Sequence, residues 1–299
     1  MIISASRRTD IPAYYSDWFF NRINEGFLMV RNPMNFHQVG KINLSPDKVD
    51  CIVFWTKNPI PMLDRLDELK DYMYYFQFTI TPYEKDIETN LPSKDLLIQA
   101  FQKTSGKIGA DRVIWRYDPI LINEKYSIDY HIGIFHEMAE KLHKYTHKVI
   151  ISFIDISYRG VKGNIKELAM LDFLTDTKTE LASKFAEIAK RLGLTIEACA
   201  VPLDLAEYGI GSAQCIDGKL ISALIGRCCD TGKDKYQRRE CGCASSIDVG
   251  MYNTCKNGCL YCYANYSPKL IEGHFNRHNA KSAFISGDLS GDDIVRDRN

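Results

Sequence analysis

Six short, β-rich apolar runs recur through the first two thirds of the chain, and stretches of helical period lie between most of them. The runs are 2–6, 51–56, 74–80, 112–117, 148–155 and 194–200. The amphipathic stretches include 61–72, 92–108, 128–145 and 177–192, the last ending at Gly193, a plausible C-cap. Strands that alternate with helices pair in parallel through right-handed crossovers. The sequence therefore predicts an α/β chain: a partial or complete (β/α) barrel of the TIM type, with about six parallel strands in residues 1–200. At 299 residues, 45% apolar and 25% charged, it is long enough to bury a large core. The 38 basic and 38 acidic side chains cancel, which argues against attraction of the whole molecule to nucleic acid or anionic lipid but leaves room for a local basic patch.

No stretch approaches the roughly 18 apolar residues a spanning helix needs. The residues after Ser6-Arg7-Arg8 open no apolar export segment, so the expectation is a soluble, cytoplasmic protein with no membrane partner.

Several strand candidates end in polar side chains: Arg7, Arg8 and Asp10; Thr56 and Lys57; Thr79 and Thr81; Arg116 and Asp118; Ser152 and Asp155; Glu197 and Cys199. Active sites of α/β barrels sit at the C-terminal strand ends, so these residues form a candidate rim. Period 2 places Gln77, Thr79 and Thr81 on one face of their strand and Arg116 with Asp118 on one face of theirs, and both sets are expected to point into the barrel. Taken singly, each also fits a solvated loop start.

Nine of the ten cysteines fall within 199–262. In a long chain with no export signal this favours metal or redox chemistry over a disulfide framework. Residues 201–299 are then a Cys-rich iron–sulfur region whose tail, from about 268 onward, reads as loop or frayed terminus. Cys255, Cys259 and Cys262 stand at C-x3-C-x2-C, with Gly258 between the first two. Such a loop can wrap a cubane cluster, and three thiolates leave one iron open. Zinc completed by Cys241, Cys243, His274 or His278 is the alternative. Cys199, Cys215, Cys241 and Cys243 make a second set, open to an auxiliary cluster, to zinc or to burial as free thiols. Cys51 and the adjacent Cys228-Cys229 read as structural.

With Tyr261 just before its last cysteine, the motif resembles the signature of the radical S-adenosylmethionine (radical SAM) superfamily. The resemblance implies a [4Fe-4S] cluster on Cys255, Cys259 and Cys262, S-adenosylmethionine bound at the open iron with Tyr261 near its adenine, and a one-electron donor such as flavodoxin or ferredoxin. A 5′-deoxyadenosyl radical would then abstract hydrogen from a small-molecule or nucleic-acid substrate. On that reading Arg116, Asp118 and Lys57 are catalytic, while Thr56, Thr79, Arg7 and Arg8 bind the cofactor or substrate.

In most of the superfamily the motif follows the first strand, whereas here it lies near the C-terminus. Residues 245–252 would supply the strand that precedes the N-terminal one in space, a circular permutation. Residues 50–120 also resemble the spore photoproduct lyase branch, through Thr56-Lys57, the strand ending near Thr79, Glu88 with Pro92-Ser93, and Arg116-Tyr117-Asp118-Pro119-Ile120. The whole chain resembles the domain-of-unknown-function family numbered 1848, through residues 4–12, Trp55-Thr56-Lys57-Asn58-Pro59 and the cysteine block. Three readings compete with a radical enzyme of unidentified substrate. One is a DNA-lesion lyase contacting DNA through residues 233–239, another a zinc-stabilised nucleic-acid-binding protein without catalysis, and the third an electron-transfer protein that binds no S-adenosylmethionine.

Overall fold

Runs rich in Val, Ile, Phe and Tyr form strands because their side chains pack well on a pleated surface, and the six expected runs all do so. In the computed structural model, which describes residues 1–171, 174–229 and 232–298, they are β1 (Ile2–Ala5), β4 (Cys51–Thr56), β5 (Tyr74–Thr79), β6 (Val113–Ile120), β7 (Lys148–Phe153) and β8 (Thr195–Ala198). Two-residue strands β9 (Gly211–Ser212) and β10 (Ile247–Asp248) extend the sheet at its edges. The order is β10-β1-β4-β5-β6-β7-β8-β9, every pairing parallel. Among the described residues no ladder joins β9 to β10, so hydrogen bonding leaves the eight-stranded sheet open.

Alternation divides the two faces. Ile52, Phe54, Phe76, Phe78, Trp115 and Tyr117 point into a large core shared with the helices, while Cys51, Val53, Tyr75, Ile114 and Ile150 belong to a smaller core on the other face. The helices before the cysteine motif are the short α1 (Ile11–Tyr14), α2 (Ser16–Glu25), α3 (Lys94–Ile108), α4 (Ile128–Leu142), the short α5 (Arg159–Gly163) and α6 (Ile165–Leu168), α7 (Thr175–Arg191) and α8 (Gly218–Ile225). α3 and α4 start on serine caps: the Ser93 hydroxyl accepts from Leu96 N–H, and Ser127 from Tyr130 N–H. Phe135 of α4 stacks on Phe185 of α7 at 4.0 Å, and Trp115 of β6 stacks on Phe135 at 5.1 Å.

Three expectations need correction. The stretch expected as a helix over 61–72 is a 3₁₀ segment, Ile60–Leu69, entered through Pro59 and Pro61. The tail is not a frayed loop. It forms α9 (Pro268–Asn276) and β11 (Ile294–Arg298), and β11 joins a second sheet with β3 (Asn35–Asn43) and β2 (Phe27–Asn32); Asn299 lies outside the described residues. Between them, 280–283 docks on α2 and β2, its carbonyls accepting from Asn21, Arg22, Trp18 and the Met29 backbone. Finally, Cys51 and Cys229 are buried, but Cys228 is exposed, so packing does not account for it. No helix among the described residues is long and apolar enough to cross a membrane.

Candidate functional site

At the C-terminal edge of a parallel sheet the strands stop and backbone groups and loop side chains converge, and here they surround a cavity of about 550 Å³. Every strand of the eight delivers residues to it. Arg7, Arg8 and Asp10 follow β1; Thr56 and Lys57 close β4; Thr79 closes β5. Arg116 and Asp118 come from β6, Ser152 to Asp155 from the end of β7, Cys199 follows β8, Cys215 follows β9, and Asp248 ends β10. Cys241 and Cys243 precede β10, and Cys255, Cys259, Tyr261 and Cys262 follow it. All the residues expected to bind, catalyse or ligate thus face one space, but three others expected beside them do not line it: Gln77 donates to the Cys215 carbonyl, Thr81 donates to Glu88, and Glu197 pairs with Lys148. Of the run 233–239, Tyr236, Gln237 and Arg238 reach the cavity; Arg238 pairs with Asp155 at 3.2 Å, and Lys233 donates to the Arg239 carbonyl. His274 and His278 do not line it: His278 is hydrogen-bonded to the Ile285 carbonyl and packs on Tyr15.

The loop carrying the three-cysteine motif is fixed by side chains whose importance the sequence did not signal. Asn265 Oδ1 accepts from the Thr254 and Cys255 N–H groups, both at 2.9 Å, and its amide donates to the Arg8 carbonyl. Asn257 donates to Asp10, which also accepts from the Thr56 hydroxyl and the Lys57 N–H. Thr56 is therefore committed to ordering the wall. At Gly258 φ is +68°, and a Cβ there would meet Asn90 Nδ2 at 3.0 Å and Thr89 Cβ at 3.2 Å. The position demands glycine on both counts. Asn90 and Thr89 hold that turn through the carbonyls of Lys256, Asn257 and Gly258.

Glu88, 1% exposed, is the hub beneath the loop. Its backbone bridges to Cys259, and its carboxylate takes Lys57 at 2.8 Å, the Thr81 hydroxyl at 2.6 Å, Lys94 and the Tyr261 hydroxyl. Burial pushes this carboxyl up, but the two ammonium groups more than reverse it and hold it at about 2. Lys57 is correspondingly spoken for by Glu88, and its ammonium also lies 5.3 Å from the centre of the Tyr261 ring. Burial pushes the Cys255 and Cys259 thiols up, so metal binding here would release protons.

Cys199, Cys215, Cys241 and Cys243 meet on another stretch of the same wall. The Cys199 and Cys215 sulfurs are 3.2 Å apart, and the Cys243 thiol is hydrogen-bonded to both Cys215 and Cys241. The Cys215 contact draws the Cys199 thiol down to about 7. Arg116 bonds Cys215 Sγ at 2.8 Å and pairs with Asp118. Trp55, which enters the sequence reading only through a family resemblance although period 2 sets it on the face of Val53, has the Arg7 and Arg116 guanidinium groups each 5.2 Å from its ring centre. Among the described residues, no three His, Cys, Asp or Glu side chains stand in the close geometry of a single-ion site.

The donor set of the motif loop fits a cluster held by three thiolates, since the sulfurs come from one loop and all three cysteines line the cavity. A family model for a domain of unknown function, DUF1848, matches residues 2–264. No curated protein matches. Among solved structures, a candidate alpha-L-fucosidase from Bacteroides thetaiotaomicron is 12% identical over 77% of this chain and 86% of that one, with a TM-score of 0.26, a likeness too slight to carry any argument.

Proposed function

Since the chain belongs to the DUF1848 family, whose description assigns no reaction, we propose a function from the site itself: a radical S-adenosylmethionine enzyme whose cluster is held by Cys255, Cys259 and Cys262. The observation that carries this reading is the opening of that loop, with its three thiols and Tyr261, into a cavity to which all eight parallel strands contribute. When bound, such a cluster supplies the electron that cleaves S-adenosylmethionine and thereby initiates hydrogen-atom abstraction from a substrate.

The chain's own residues bind, orient and exclude water. Glu88 and Asp10 hold the loop to the wall and fix the position of Lys57, whose positive charge faces Cys259. Arg8 pairs only loosely with Asp248, at 3.9 Å, and so retains donors for a carboxylate of cofactor or substrate. Buried Arg116 and half-buried Asp118 form a pair on the wall that can orient a polar substrate group. A one-electron donor such as flavodoxin or ferredoxin completes the system.

The test is anaerobic purification, an iron and zinc count, and a visible spectrum with and without S-adenosylmethionine, beside the Cys255→Ala, Cys259→Ala, Cys262→Ala triple variant. The triple variant should lose about four irons per chain, and the wild-type spectrum should shift on adding S-adenosylmethionine. A colourless wild-type protein with stoichiometric zinc overturns the reading.

A further inference from the structure

The motif loop uses three cysteines, yet four more meet in the same cavity, and packing does not explain their company. Cys199, Cys215 and the pair Cys241 and Cys243 come from three separate segments, after β8, after β9 and before β10. Their sulfurs form one unbroken run of contacts, 3.2 Å between Cys199 and Cys215. Two permanent cations attend them. Arg116 Nη1 donates to Cys215 Sγ at 2.8 Å, and the Arg7 charge lies close enough to interact with Cys243 and Cys215.

The decisive detail is what remains unpaired. Arg7 Nη2 and Trp55 Nε1, both buried beside these thiols, have no acceptor. A buried donor without a partner costs about 1–3 kcal/mol, and native proteins seldom leave two side by side. Thiols are weak acceptors, so their own sulfurs do not answer the need. A disulfide between Cys199 and Cys215 would weaken the acceptor that Arg116 already uses. An iron–sulfur cluster brings bridging sulfides, and four thiolates on a doubly positive core leave two negative charges for two guanidinium groups. A zinc ion on four thiolates would leave the same two negative charges, so charge does not choose between the metals; what a cluster adds is its own sulfides as acceptors for Arg7 and Trp55.

We propose that Cys199, Cys215, Cys241 and Cys243 ligate a second [4Fe-4S] cluster, with Arg7 and Arg116 as its charge partners and Arg7 and Trp55 donating to its sulfides. Because all four ligands are protein thiols, this cluster has no open iron; it is a second redox centre on the wall of the substrate cavity. The inference stands apart from the S-adenosylmethionine reading, since it uses none of the motif cysteines.

The test starts from the triple variant lacking Cys255, Cys259 and Cys262, reconstituted anaerobically with iron and sulfide, so that whatever metal remains belongs to the second site. It should retain about four irons and, once reduced, show the electron paramagnetic resonance of a [4Fe-4S] cluster. Adding Cys241→Ala and Cys243→Ala should bring iron below one per chain. Should that variant fail to fold, Arg7→Gln and Arg116→Gln in the triple background give an independent readout: each should shift the reduction midpoint to more negative potential, because each removes a positive charge beside the cluster. One zinc and no iron in the triple variant overturns the proposal. So does a metal-free triple variant, whether its four thiols titrate freely or two are lost to a disulfide.

Discussion

Glu88 shows how a single carboxylate can organise a site. It is buried under the motif loop and is the counter-charge of both Lys57 and Lys94. Replacing it with Gln would leave two largely buried ammonium groups without that partner. Breaking a buried pair in this way costs about 3–5 kcal/mol, so Glu88→Gln should lower the unfolding free energy by that amount in a urea titration. A change below about 1 kcal/mol would show that the hub holds little. The rim residues were legible because polar side chains at the ends of apolar runs stand out against their background, as Arg116 and Asp118 do. Glu88 carried no such mark as a site residue: it lies on a loop, outside any periodic run, and its partners are 6 to 173 positions away. Asn257 and Asn265 were equally silent, since an amide that ties down a loop looks in sequence like any polar loop residue.

Most elements with an apolar stripe are legible in the sequence, but α2, which buries Trp18, Phe19, Phe20 and Ile23, is not among the stretches named there. The six expected strands and the helices that flank them have period and burial in agreement. By contrast β11, exposed along its whole length, has no hydrophobic pattern to read, and β9 and β10 are too short to show a period. The hairpin of β2 and β3 did offer a signal, an apolar run at 27–30 before Asn32-Pro33, but it lies outside the strand–helix rhythm. The junction of α4 with β6 carries a pH dependence. Fully buried His131 accepts at Nδ1 from the Tyr117 hydroxyl, 2.8 Å, and donates from Nε2 to the Leu121 carbonyl, 2.9 Å. Burial lowers its pKa from 6.5 to about 4. The folded state therefore prefers the neutral ring, and the stability this confers is complete above pH 6.5 and lost as pH falls through 4. It is worth about 3 kcal/mol. Between pH 7 and pH 4, unfolding free energy should fall by about that much more in the wild type than in His131→Asn; parallel curves would refute the assignment.

Across the whole molecule, the two ends of the chain are built into one body. Residues after the cysteine motif return to α2, where the Trp18, Asn21 and Arg22 side chains donate to carbonyls of 280–282. A chain ending at Asn276 orphans all three donors and should lose upwards of about 3 kcal/mol in chemical denaturation. A chain ending at Asp293 keeps those contacts and the Arg31–Asp293 ion pair, so trimming exposed β11 should cost under about 1 kcal/mol. Equal losses from both truncations would contradict this division. The sheet binds the ends in a second way, since β10 pairs with β1 although about 240 residues separate them. At a translation rate of about 5–20 residues per second, β1 emerges from the ribosome about 12–50 s before its outer neighbour exists. Throughout that interval the nascent chain presents an open parallel edge, and the loop that brings Cys255, Cys259 and Cys262 to the cavity has yet to be made. A metal centre of the kind proposed above would therefore assemble on a chain in which β1 to β9 have all been made, rather than on one still being laid down strand by strand.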